Sequence, residues 1–160
     1  MSTRRPPPSP ELFTVFMDRR LDWSELDSLG HANNARYFTW FEEARMAYFI
    51  SVGIPATGEE GWGPILAHTS CDFLAPVHWP AQLHLGARVT RIGSSSLTME
   101  YAIFVEKEHE RGTPEGQANS LSCVARGEGV VVLVHYATGD KVKIQGELRA
   151  RLESTLTSGE

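Results

Sequence analysis

The stretch HANNARYFTWFEEAR, residues 31–45, changes character part-way along. It opens on a histidine and two asparagines, and then large apolar side chains begin to recur. Tyr37, Trp40, Phe41, Ala44, Ala47, Tyr48 and Ser51 fall at the three- and four-residue steps of one helical face, while Glu42, Glu43 and Arg45 take the other positions. Asparagine is a preferred N-cap, and Gly53 followed by Pro55 makes a natural stop, so a helix of about 19 residues starts at Asn33 or Asn34. At 1.5 Å per residue it is close to 30 Å long. A helix of that length, with bulky aromatics along one side, needs a broad apolar surface to cover it.

The flanks supply that surface as strands. Upstream, Phe13, Val15 and Met17 alternate with smaller or polar neighbours, and Leu21 and Trp23 prolong the period, which predicts a strand over about 12–23. A polar stretch, 24–31, ends it. Downstream, 64–73, 82–92, 96–107 and 120–136 are each strand-like, and Leu97, Met99, Tyr101, Ile103 and Val105 alternate without a break. Pro76 and Pro80, Gly93 with three serines, and a polar connector at 108–119 separate them with ordinary loop chemistry. Strand, long helix, then four strands predicts an α+β domain in which an antiparallel sheet of five or more strands wraps around one central helix. Residues 1–10 read as a flexible tail, 11–145 as a single domain, and 146–160 as a charged tail with room for a short helix.

Composition narrows the function. The 160 residues are 41% hydrophobic, enough for one core. With 15 Lys plus Arg against 20 Asp plus Glu, no global positive field draws the chain to nucleic acid, and an anionic ligand needs local donors. Cys71 and Cys123 lie in alternating apolar stretches and read as buried thiols rather than a disulfide framework or zinc knuckle. The start, MSTRRPPPSPELF, has no apolar signal core, and no run reaches the length of a membrane span, so a cytoplasmic protein without membrane contact is expected.

The order of elements, together with DWSELDSLGHANNARYFTWFEEAR at 22–45, resembles the hotdog-fold acyl-CoA thioesterases of the 4-hydroxybenzoyl-CoA thioesterase type. The similarity continues through CDFLAPVHWPAQLHLGARVTRIGSSSL at 71–97. It implies a hotdog fold, hydrolysis of a thioester without a cofactor, and a catalytic loop aspartate, whose matching position here is Asp27. Asp22 and Glu25 are near but off the motif position. The resemblance also implies that backbone N–H groups at the start of the central helix, around Asn34, polarise the thioester carbonyl. Hotdog domains generally pair with the active site between subunits, and long edge strands supply a physical motive, so a homodimer or homotetramer is expected.

The residues themselves support that chemistry. The first N–H groups of a helix lack intrahelical partners and carry the positive end of its dipole, so they can receive a developing oxyanion. Asp27, about seven residues upstream, can fold over the same carbonyl as general base on water or as nucleophile. It can equally cap its own Asp-Ser-Leu-Gly turn. Asn33 and Asn34 are natural caps, and one of them is expected to serve only as that. His31 is either a hydrogen-bond partner to carboxylate or substrate, or a solvated loop residue; Tyr37 is core or pocket wall. Glu42 and Arg45, three apart, form a helix-surface or dimer-interface pair. For the phosphates of coenzyme A or acyl carrier protein, Arg88, Arg91 and the turn Gly93-Ser94-Ser95-Ser96 offer cations and exposed N–H groups, or merely a hairpin with solvated arginines.

Other constellations fail. GSSSL lacks the second glycine of a nucleophile elbow. His68, Cys71, His78 and His84 make no zinc pattern. Gly127-x-Gly129 runs into a strand rather than a helix, unlike a dinucleotide fingerprint. Two alternatives to hydrolysis stand beside it. In the hotdog hydratases four residues lie between Asp and His, with Asn-Pro inside, whereas three separate Asp27 from His31. A non-catalytic acyl-thioester-binding protein is the other.

Overall fold

The computed structural model describes residues 6–106 and 120–156; the connector expected at 108–119 lies outside the described residues. Five strands, β1 (Val15–Arg20), β2 (Trp62–Phe73), β3 (Gln82–Ile92), β4 (Ser96–Glu106) and β5 (Leu121–His135), join the long helix α1 (Asn34–Val52) and a short helix α2 (Gly146–Glu153). The strands form one antiparallel sheet in the order β1-β3-β4-β5-β2, with β1 and β2 at the edges. This is the hotdog architecture.

α1 begins and ends as its chemistry dictates. The Asn33 side chain accepts the Ala35 N–H at 3.0 Å, and Gly53 takes the left-handed conformation (φ 75°) that closes the last turn. Its inner face, Tyr37, Trp40, Phe41, Ala44 and Tyr48, is buried against Leu83, Leu85, Ala87 and Val89 of β3 and Leu97, Met99, Tyr101 and Ile103 of β4. The helix lies mainly over β1, β3 and β4; Ala125, Val131 and Leu133 on the inner side of β5 are still buried, whereas Leu66 and Phe73 of the edge strand β2 stay exposed. Phe41 stacks on Tyr101 with centroids 5.2 Å apart. Glycine makes that possible: a Cβ on Gly129 would stand 2.6 Å from the Tyr101 hydroxyl, and one on Gly127 2.5 Å from the Phe41 ring. The Gly127-x-Gly129 pair thus flattens β5 to receive two aromatic rings.

Three sequence expectations change. The strand expected over 12–23 is shorter, because Asp22 and Glu25 form a reciprocal capping box that turns the chain into a 3-10 turn at Trp23–Glu25. Trp23 is left exposed, and Phe13 crosses to the opposite face of the sheet, packing on Phe104 and over Gly86. Arg45, which the helical period puts off the apolar face, is buried, donating to the Tyr101 hydroxyl at 3.4 Å with its guanidinium 5.7 Å from that ring. It forms no ion pair or hydrogen bond with Glu42 among the described residues, so these two are not a pair on the helix surface. In the charged C-terminal stretch α2 is anchored by buried Leu152, and the Tyr48 hydroxyl meets Thr155 Oγ1 at 2.6 Å.

Candidate active site

The loop between β1 and α1 is a pinched hairpin. Leu26 and Ala32 form a bridge, the Asp27 N–H donates to the His31 carbonyl at 2.8 Å, and Gly30, at φ 76°, donates to the Asp27 carbonyl at 3.1 Å. The Asp27 carboxylate stabilises this turn from inside, accepting the backbone N–H groups of Leu29 (2.8 Å) and His31 (3.2 Å) on Oδ1. Oδ2 has no hydrogen-bond partner among the described residues, and no cation touches this carboxylate there.

Glu25 holds the hairpin to the helix. Its buried carboxylate accepts from Arg19 (2.8 Å), from the Asp22 N–H (2.9 Å) and from the Trp40 indole (3.1 Å), while its backbone carbonyl takes the Asn33 N–H at 2.8 Å. Arg19 reaches on to Glu43 of α1 at 2.8 Å. On the other side the Ala32 N–H donates to the Val77 carbonyl at 2.9 Å. The loop carrying Asp27 is therefore tied at both ends, through a buried charge network on one side and a backbone bridge on the other.

At the mouth of α1 the N–H groups are unequally satisfied. Ala35 donates to the Asn33 side chain and Arg36 to the Asn33 carbonyl at 2.9 Å. Asn34 donates to nothing among the described residues. This free N–H sits where the helix dipole is most positive.

Asp27, Asn34 and Tyr37 line one open cleft of about 480 Å³ together with Ala32, Phe73, Leu74, Ala75 and Pro76. The Phe73 ring meets Tyr37 edge-on at 5.0 Å. Burial pushes the Tyr37 hydroxyl up to about 12, with the neighbouring Cys71 adding to the rise, so it stays protonated across the neutral range. Burial likewise raises the Cys71 thiol to about 12, which leaves it a poor nucleophile.

The remaining candidates are elsewhere. The His31 ring packs on His78, with centroids 4.6 Å apart, and what it gives Asp27 is its backbone N–H. Asn33 spends its side chain on the helix cap. Arg88 is buried on the sheet face away from α1, bonded to Glu100 through Nε at 2.8 Å, and so is not the solvated cation of a phosphate cradle. Arg91 is exposed, but it and Ser94, Ser95 and Ser96 lie at or just past the C-terminal end of β3, whereas the Asp27 loop bridges the chain at His78, before the N-terminal end of that strand. The turn's carbonyls are spent on the fold, Ser94 accepting from Ile144 and Ser95 from Leu133. Among the described residues no group of three His, Cys, Asp or Glu side chains could hold a metal ion.

Sequence reading passed over the Phe73–Pro76 wall and Glu25. The wall leaves the strand period at Leu74, where the Leu74 and Ala75 N–H groups both bond the Val124 carbonyl, so alternation gives no warning of it. Glu25 carried a signal in retrospect: Asp22 to Glu25 has the spacing of a capping box.

Known proteins share this sequence pattern and this fold. YsmA of Bacillus subtilis is 33% identical over 89 residues, which span 56% of this chain and 60% of YsmA, so the match leaves over a third of that relative uncovered. The crystal structure of the PA5185 protein from Pseudomonas aeruginosa is 31% identical, with a TM-score of 0.79 over 97% of this chain and 100% of that one. A thioesterase from Thermus thermophilus, crystallised with coenzyme A and zinc, is 27% identical with a TM-score of 0.70, covering 88% and 98% of the two chains. The model of the thioesterase-like superfamily matches residues 21–152, a span holding the hairpin, the helix and all of the cleft wall, and the chain belongs to that superfamily.

Proposed function

We propose that this protein hydrolyses an acyl-CoA, or the same acyl group on acyl carrier protein, to a free carboxylic acid and a thiol. One juxtaposition carries the reading: a carboxylate with an open oxygen and an unpaired helix-start N–H share a cleft whose far wall is apolar. The thioester oxygen takes the Asn34 N–H, and the acyl chain lies along Phe73, Leu74 and Pro76. Asp27 accepts a proton from water as its oxygen attacks the carbonyl carbon. The tetrahedral oxyanion is held by the Asn34 N–H, the C–S bond breaks, and the departing thiolate recovers the proton from Asp27. In the nucleophilic variant an Asp27 oxygen attacks first and the thiolate leaves; water then opens the resulting anhydride to the free acid and the Asp27 carboxylate, and the proton released goes to the thiolate.

Membership of the superfamily supports thioester hydrolysis in general, and the coenzyme A held by the Thermus relative supports that carrier. The functional unit in this reading is a homodimer at least, since the edge strand β2 exposes Leu66 and Phe73. The test is release of free thiol from a panel of aliphatic and aromatic acyl-CoAs. Turnover of at least one at kcat above about 1 s⁻¹, within the usual enzyme range, is expected; binding without turnover across the panel would support an acyl-thioester-binding protein instead.

A further inference from the structure

The middle of α1 presents a stripe that the chain itself does not complete. Phe38, Glu42 and Arg45 follow one another at steps of four and three, so they share a face of the helix. That face looks toward the inner side of the edge strand β2, where apolar side chains stay exposed. Phe38 is 41% exposed there, and on β2 Leu66 is 44% and Phe73 47% exposed.

Between these apolar groups stand two opposite charges that ignore each other. Arg45 is 93% buried by its 7% exposure, yet its one hydrogen bond is a long one to a neutral phenol, and no carboxylate touches it among the described residues. Glu42, one turn earlier, is exposed and bonds to nothing described. A guanidinium has five donors, and burying one against a single weak acceptor is costly unless an anion arrives.

We infer that the anion is Glu42 of a second copy, packed across a two-fold axis so that each Arg45 receives the other chain's Glu42. The stripe is self-complementary in the way such an axis demands: residue i meets j, and j meets i. Two α1 helices running antiparallel past each other bring position 42 of one beside position 45 of the other. Phe38 then packs over Leu66 on the inner side of β2, which buries both and leaves Phe73 to the acyl cleft. This rests on the homodimer of the proposed function and adds the contact that sets its register. A dimer docked through the β2 edge alone would leave Arg45 without an anion.

Sedimentation velocity on the full chain tests it, with thiol release measured separately. Wild type sediments as a dimer or a multiple of it. Glu42→Arg, at an exposed position, keeps its circular dichroism spectrum and weakens the dimer by at least tenfold in Kd, as two buried guanidinium groups face a third and fourth charge. Glu42→Gln weakens it less. In an Arg45→Met background, which keeps side-chain length without charge, Glu42→Gln has no further effect, whereas in wild type it does. A Glu42→Arg protein that dimerises like wild type, or equal effects of Glu42→Gln in both backgrounds, overturns the pairing, as does a wild-type monomer at micromolar concentration. A dimer with this coupling but no thiol release would leave the pairing intact and remove only the enzymatic reading.

Discussion

Two hollows in this molecule are lined by carboxylates, and they are built in opposite ways. The cleft at the start of α1 holds Asp27; a polar hollow of about 230 Å³ on the other face of the sheet is lined by Ser70, Asp72, Glu100, Arg126 and Glu128. In the hollow, acids are matched by arginines: Glu100 by Arg88, Asp72 by Arg126 at 3.0 Å. An acid bonded by a guanidinium has its oxygens spent on structure. In the cleft the acid is held by neutral backbone N–H groups on one oxygen, and the mouth of a helix, with its uncommitted Asn34 N–H, lines the same cleft. Such a carboxylate keeps an oxygen available to move a proton beside a point prepared for negative charge. The presence of acids in a concavity is thus a weak sign of chemistry, and what neutralises them is a strong one.

The contrast fails first, if it fails, when the donor is removed and nothing else is. Proline is tolerated at the first position of a helix, and Asn33, with φ −61° and ψ 132°, already has the extended conformation that precedes proline. Asn34→Pro should therefore leave the fold intact while deleting the Asn34 N–H, which is free among the described residues, lowering kcat by about 10²- to 10³-fold. A loss under threefold, measured by thiol release, would place the oxyanion elsewhere.

Next in size is the anchor. Glu25→Ala strands the Trp40 indole and half of the Arg19 guanidinium. Because Arg19 is partly exposed and keeps Glu43, the expected cost is about 2–3 kcal/mol in urea unfolding, less than for a sealed pair. An unchanged urea midpoint would show that the hairpin is held by its backbone bridges alone.

Alkali should act on the cleft wall. Folded Tyr37 and Cys71 keep their protons to about 12, whereas unfolded they release them near 10 and 9. As pH rises the unfolded chain loses protons first, so this contribution to stability is complete below about pH 9 and falls above it. Urea midpoints at pH 7.5, 9 and 10.5 should hold over the first step and decline over the second; a flat profile throughout would contradict the buried placement of both groups.

The smallest effect belongs to the hollow. Asp72 is largely exposed, and Asp72→Asn should change stability by under about 0.5 kcal/mol and leave thiol release within about twofold of wild type. A large loss of activity there would erase the distinction between the two concavities.

The fold was readable because its main devices are periodic. The aromatic steps from Tyr37 to Tyr48 and the alternation from Leu97 to Val105 each respond to one partner surface, and local pattern reports that directly. Asp27, Asn34 and Tyr37 were readable together because they sit within one short stretch of chain, and the structure brings them to one cleft. Arg45 was misplaced because the helical period records only which side faces the sheet, and a long side chain can reach back over an aromatic ring from a flank position. Arg88 and Arg91 look like neighbours in sequence, and the bulge between Val89 and Arg91 sets them opposite Glu100 and Thr98 on one face of β4, but Arg88 is taken by Glu100, a buried partner twelve residues away. Contacts of that kind depend on strand pairing, which composition does not encode locally.

Everything proposed for the cleft depends on Asp27 performing the proton or nucleophilic step, and a single substitution isolates that step. Thiol release is followed for wild type and Asp27→Asn on the best acyl-CoA of the panel, with circular dichroism showing the same fold. Asparagine can still accept the Leu29 and His31 N–H groups, so the turn survives while the base is lost. A fall in kcat of at least about 10²-fold is expected, the range of a missing general base. Turnover by Asp27→Asn within about threefold of wild type would remove Asp27 from the chemistry.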